Sequence, residues 1–265
     1  MKKRIAVLLI AGALLLGVLL LAHRREAPPA AAVPAVPPAT ATPAPTPGPT
    51  PAPTPSPTPV PTTAPRSRDW FDEAVFVGDS VTRALENHCR RHEELGEPLF
   101  LCEISLSVRN IAEDRMGVQY RGQEMPLLEA LARSGASRVF IMLGTNDVAL
   151  PGGVEAAMNN WTWLLDRLRE QCPDMEIYVE SALPMSTRGE LRDLNNQRLR
   201  EYNDSLRTLC RERGCPYLDL APWFTGEDGG LPEEYCSDAY VHLTEEGAAL
   251  WASLLQREEL YEEKE

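Results

Sequence analysis

The sequence predicts an α/β fold: a three-layer α/β/α sandwich built on a flavodoxin-like, five-stranded parallel sheet. Three observations carry that expectation. From Trp70 onward, short β-branched or apolar runs alternate with longer stretches of helical periodicity, the pattern of parallel strands joined by crossover helices. The chain is 43% apolar and 25% charged, a composition that can bury a core. Most of its 24 prolines fall before residue 66, so a coreless leading region is set apart from a folded one.

The strands are expected at Ala74 to Val77, Leu99 to Ile104, Arg138 to Leu143, Met175 to Glu180 and Pro216 to Leu220. Helices are expected over Val81 to Leu95, Met125 to Arg133, Val154 to Gln171, Leu191 to Arg213 and Thr244 to Gln256, each with apolar residues three and four apart. In such sheets reactive groups collect at the carboxyl edge, where strands end and loops begin.

Ahead of this domain lie two segments. Residues 1–26 hold Lys2, Lys3 and Arg4, then an apolar run from Ile5 to Ala22, then His23, Arg24 and Arg25. About 18 apolar residues just span a bilayer core of ~30 Å. The segment reads as a membrane anchor through residues 5–22, or as a signal segment cleaved near Ala30 to Ala32. Residues 27–65 are mostly Pro, Ala, Thr and Val, a composition for extended polyproline II with no core. At ~3.1 Å per residue this linker would reach up to ~120 Å. The expected domains are therefore 1–26, 27–65 and 66–265, with the last at the cell surface, or secreted after cleavage. A net charge of −13 argues against nucleic acid, whose phosphates demand Lys and Arg.

The first strand runs into Gly78-Asp79-Ser80, and a helix follows. A serine at this turn lifts its hydroxyl above the sheet, with its own N–H at a helix amino terminus where an oxyanion would form. The same serine could be a simple N-cap. The third strand ends in Gly144-Thr145-Asn146-Asp147: a glycine for the tight turn and an asparagine N–H₂ aimed at the same edge, or an ordinary Asn-Asp turn. Two strand ends converging on one edge favour chemistry. Of the four histidines, His23 belongs to the leading segment. His88 and His92 share a helix face, but Cys89 stands where a His-Glu-x-x-His zinc helix needs glutamate, so a solvated face is expected. His242, with Asp238 four residues before it, remains as base and orienting acid for Ser80.

These blocks, Val77-Gly78-Asp79-Ser80, Gly144-Thr145-Asn146-Asp147 and Asp238 to His242, with Tyr202-Asn203 between them, resemble the SGNH/GDSL hydrolase family over about Phe71 to Leu255. The resemblance implies the α/β/α fold, an esterase activity, a Ser80–His242–Asp238 triad, and supporting turns at Gly78, Asp79 and Gly144; from the residues themselves no cofactor or metal is expected. It also implies an oxyanion hole from the Ser80 N–H, the Asn146 side chain and a residue after the second strand. That last position falls on Ser105, where the family carries glycine. The Asp238 to His242 interval is one residue longer than the family's.

Six cysteines, Cys89, Cys102, Cys172, Cys210, Cys215 and Cys236, leave disulfides open, with Cys210 and Cys215 the most local pair. None sits at a strand-to-helix elbow as a nucleophile would. Trp161 and Trp163 could wall a sugar or acyl site, though helix-core packing is their commoner use. Without a long hydrophobic lid segment, a small acyl group on a carbohydrate, acetyl first, is the expected substrate. Acyl transfer to a glycan with a separate membrane donor, or glycan binding without chemistry, are the alternatives.

Overall fold

The computed structural model describes residues 66–261; the segments expected as anchor or signal and as linker lie outside them. The five sheet strands are β1 (Ala74–Gly78), β2 (Leu99–Cys102), β5 (Arg138–Met142), β6 (Glu176–Glu180) and β7 (Tyr217–Leu218). They pair in parallel in the order β2-β1-β5-β6-β7, the flavodoxin order, which reverses direction at β1. β1 is buried along its whole length, as a central strand covered on both faces must be. Register is fixed by a row of aromatic rings. Phe100, Phe76, Phe140 and Tyr178 are paired neighbours on four adjacent strands, stacked with centroids 5.2, 4.8 and 4.8 Å apart.

The helices are α1 (Thr82–His92), α2 (Val108–Ala112), α3 (Leu127–Ser134), α4 (Thr145–Val148), α5 (Gly153–Gln171), α6 (Asn196–Arg213) and α7 (Glu245–Leu255). α1 packs on α7, while α5 packs on α2, α3, α4 and α6, giving the two helical layers.

The expected elements are present, with shifted ends and additions. α6 begins at Asn196, not Leu191: the Asn195 side chain accepts the Arg198 N–H and starts the helix there. The strand expected over Pro216 to Leu220 keeps only two residues in the ladder. A hairpin of β3 (Val118–Tyr120) and β4 (Gln123–Met125) precedes α3. Its turn has Arg121 at φ 51° and Gly122 at φ 77°, the positive pair of a type I′ hairpin. None of the six cysteines is in a disulfide, so the pairing left open at Cys210 and Cys215 is not made. No helix among the described residues is long and apolar enough to cross a membrane.

Candidate active site

Ser80 leaves the end of β1 at the point where strand order reverses, and α4, with Asn146, leaves the neighbouring strand β5. Crossovers on either side of such a point lead to opposite layers, which leaves its strand ends uncovered for reactive groups. Two glycines permit the turns. A Cβ on Gly78 would lie 1.9 Å from Thr82 Oγ1, and one on Gly144, at φ 141°, would lie 2.4 Å from the Tyr202 ring. Tyr202 is held in turn, its hydroxyl donating to Leu143 O (2.7 Å) and accepting from Trp161 Nε1 (2.6 Å). Trp161 is fully buried and so belongs to the core, not to a substrate wall. Trp163 also packs against the core.

Ser80 is not a helix cap: α1 begins at Thr82, without a side-chain cap. Ser80 Oγ lies 2.9 Å from His242 Nε2, and His242 Nδ1 lies 2.5 Å from Asp238 Oδ2. The longer Asp238 to His242 interval is accommodated by Ala239 at φ 55°. That turn lets Asp238 Oδ1 accept the backbone N–H groups of Tyr240 (2.9 Å), Val241 (3.1 Å) and His242 (3.2 Å). One carboxylate oxygen folds the loop and the other holds the ring. Burial pushes the Asp238 carboxyl up, but the His242 hydrogen bond and the backbone N–H groups outweigh it and hold it below the usual range. Thr244 caps α7 just beyond, accepting the Gly247 N–H.

Around the serine, Asp79 and Asp147 brace the loops. Asp79 is buried and accepts from Val81 N (2.8 Å) and Asn146 Nδ2 (2.7 Å). Burial raises its carboxyl to about 6, against the pull of those hydrogen bonds. Asp147, also buried, accepts from Val108 N and Arg109 N, both 3.1 Å, tying the β5 loop to the start of α2. Its carboxyl is likewise raised to about 6 by burial.

Of the oxyanion donors expected, the Ser80 and Ser105 backbone N–H groups have no acceptor among the described residues. Ser105 is exposed and takes φ 62°, the left-handed conformation that explains why a glycine is at home there. Asn146 differs from expectation. Its Nδ2 donates to Asp79 Oδ2 and, at 3.2 Å, to Leu106 O, so serving an oxyanion requires exchanging the longer bond.

Sequence reasoning missed Asp147 as a brace, although it stands in the Asn-Asp turn itself. It also missed Asn196, which accepts the Met185 N–H and donates to the Met185 carbonyl. Asn203 does the same at Ala182, so two asparagines of α6 hold the segment after β6. His88 corrects another expectation: it is buried, with its two ring nitrogens against Glu245 (2.6 Å) and Glu94 (3.0 Å), while only His92 faces solvent.

A serine, histidine and carboxylate in hydrogen-bonded series at the switch point of a doubly covered parallel sheet form a nucleophile built for acyl transfer. A family model described as GDSL-like lipase/acylhydrolase matches residues 76–250. The chain belongs to that family, and it is a hydrolase acting on esters. Among solved structures it is similar to a candidate acylhydrolase from Bacteroides fragilis NCTC 9343, at 18% identity over 69% of this chain and 84% of that one, TM-score 0.54. A GDSL-like lipase from Bacteroides thetaiotaomicron VPI-5482 shares 17% over 69% and 84%, TM-score 0.52. An acetyl xylan esterase shares 13% over 69% and 96%, TM-score 0.52. At these identities the likeness is one of fold. No curated protein matches the chain.

Proposed function

We propose that the protein is an extracytoplasmic serine esterase that removes small acyl groups, O-acetyl foremost, from a cell-wall or surface carbohydrate. The carrying observation is the hydrogen-bonded chain from Ser80 Oγ through His242 to Asp238. In this reading His242 Nε2 takes the Ser80 proton as Oγ bonds to the acyl carbon, and Asp238 stabilises the imidazolium. The Ser80 and Ser105 N–H groups, joined by Asn146 once it releases Leu106 O, receive the oxyanion. His242 then protonates the departing sugar oxygen, leaving acyl-Ser80. Water, deprotonated by His242, attacks the acyl carbon, and Ser80 recovers its proton as the carboxylic acid leaves.

A small acyl group is supported by the open setting: the His242 side chain is 42% exposed, and Ser105 and Ile104 after β2 are exposed. An esterase of acetylated xylan shares the fold. The apolar segment and proline-rich stretch support placement outside the cytoplasm. The test is hydrolysis of p-nitrophenyl acetate, and acetate release from acetylated glycans, by the full chain beside Ser80→Ala. The variant is expected to lose at least ~10³-fold in kcat. Equal rates would leave a glycan-binding domain and sink the esterase reading. Protease shaving of intact cells tests the location: the domain should be released.

A further inference from the structure

Away from the serine, α1 and α7 bring together a second constellation. His88 and His92 stand one turn apart on α1, with ring centroids 4.6 Å apart. Glu245, the first residue of α7, sets one oxygen, Oε1, 2.6 Å from His88 Nδ1 and 3.0 Å from His92 Nε2. All three ligand atoms lie within 4.8 Å of one another.

We propose that His88, His92 and Glu245 form a transition-metal site of the zinc class, clasping the helix that follows Ser80 to the helix that follows His242.

The contacts around the cluster orient its ligand atoms. His88 is 3% exposed at its side chain, and Glu94 Oε2 lies 3.0 Å from its Nε2. A neutral imidazole has one N–H. With that proton toward Glu94, Nδ1 presents its lone pair on the side of Glu245 Oε1 and His92 Nε2, so that three ligand atoms converge on one point. The Glu94 contact is then the carboxylate–histidine–metal relay that fixes the tautomer and raises the basicity of a ligating imidazole. Arg91 pairs with the other Glu245 oxygen, Oε2, leaving Oε1 for the ion.

Two imidazoles and one carboxylate select zinc, cobalt, nickel or copper over magnesium and calcium, which take oxygen. Metal–ligand bonds of ~2.0–2.1 Å in a tetrahedron place ligand atoms ~3.3 Å apart. The two contacts of Glu245 Oε1, 2.6 and 3.0 Å, open by less than ~1 Å, and the two imidazole nitrogens, within 4.8 Å of each other, settle to the same separation. His92 and Glu245 are 49% and 41% exposed at their side chains, so an ion can enter from solvent and keep a water as fourth ligand. The rival reading is a doubly protonated His88, which needs no metal.

The experiment uses the full chain, stripped with a chelator and titrated with Co²⁺, followed by visible d–d absorption, and with Zn²⁺ in competition with a chromogenic chelator. One equivalent is expected to bind with a tetrahedral cobalt spectrum, and Zn²⁺ should raise the Tm. His92→Ala and Glu245→Gln should each weaken binding more than tenfold and abolish the Tm shift. Glu94→Gln should weaken it about 10- to 100-fold. His92 is exposed, and the metal-free Tm of its variant reports folding. Three results would overturn the site: no stoichiometric uptake by the parent, equal affinity in the His92 and Glu245 variants, or thiolate charge-transfer absorption placing cobalt on cysteine.

Discussion

Ser105 is the residue whose backbone and side chain make opposed demands. Its N–H is wanted at the oxyanion, and the φ of 62° that presents it costs an L-residue roughly 1–2 kcal/mol. Ser105→Gly should hydrolyse ester at the parent rate and shift stability by no more than ~1 kcal/mol, on the favourable side, because relieved strain is partly offset by unfolded-chain entropy. Ser105→Val, β-branched where φ is positive, should lose both stability and activity. Urea unfolding and kcat/KM on p-nitrophenyl acetate measure the pair. Ser80, Asn146, Asp238 and His242 were all legible in the sequence because each stands in a short block at a strand or helix end. His88 was not. What buries and orients it are Glu94 and Glu245, and the latter lies 157 residues away in the chain. Local spacing showed only that Cys89 was the wrong neighbour for a familiar zinc helix.

The elements were read from periodicity, and they failed where side-chain hydrogen bonding decided an end. Leu191 and Leu194 continue the helical spacing of α6, yet the Asn195 cap starts the helix only after them. The β3–β4 hairpin was missed because two three-residue strands offer no alternation to detect, and Met125 looked like the start of the next helix. The β5-to-α4 turn was legible, but its reason was not: Gly144 makes room for the Tyr202 ring, which arrives from α6. Gly144→Ala should therefore cost about 2–3 kcal/mol or more from overpacking and backbone strain together. It should also depress hydrolysis by displacing Asn146. Denaturant midpoints compared with esterase rates test this: an unchanged midpoint would mean that the ring yields easily.

For the whole molecule, stability should carry an unusual dependence on pH from the centre of the sheet. Glu180, at the end of β6, is fully buried, and burial raises its carboxyl to about 8. From the model-peptide value of 4.5 up to about 8, the folded chain keeps a proton that the unfolded chain releases. Stability from this group is therefore full below that range and falls as pH rises through it. Relative to Glu180→Gln, the parent should lose roughly 2–3 kcal/mol between pH 5 and pH 7, read from urea unfolding at each pH. A constant difference between the two proteins would show that Glu180 is ionised throughout. Asp79 and Asp147, raised to about 6 by burial, act in the same direction, but they are common to parent and variant.

The unpaired thiols reach beyond packing. Cys89, Cys102, Cys172, Cys210 and Cys215 are buried and none is oxidised; burial pushes Cys89 to about 12 and Cys102 well above its ordinary value. Those two sulfurs stay protonated and are poor nucleophiles toward oxidants or other thiols, whereas the hydrogen bond from Cys210 holds the Cys215 thiol below its ordinary value. The fold of the described residues thus rests on packing and not on disulfides. The domain should reach the same fold in a reducing cytosol as in an oxidising compartment, unhelped by disulfide isomerases and unharmed by reductant.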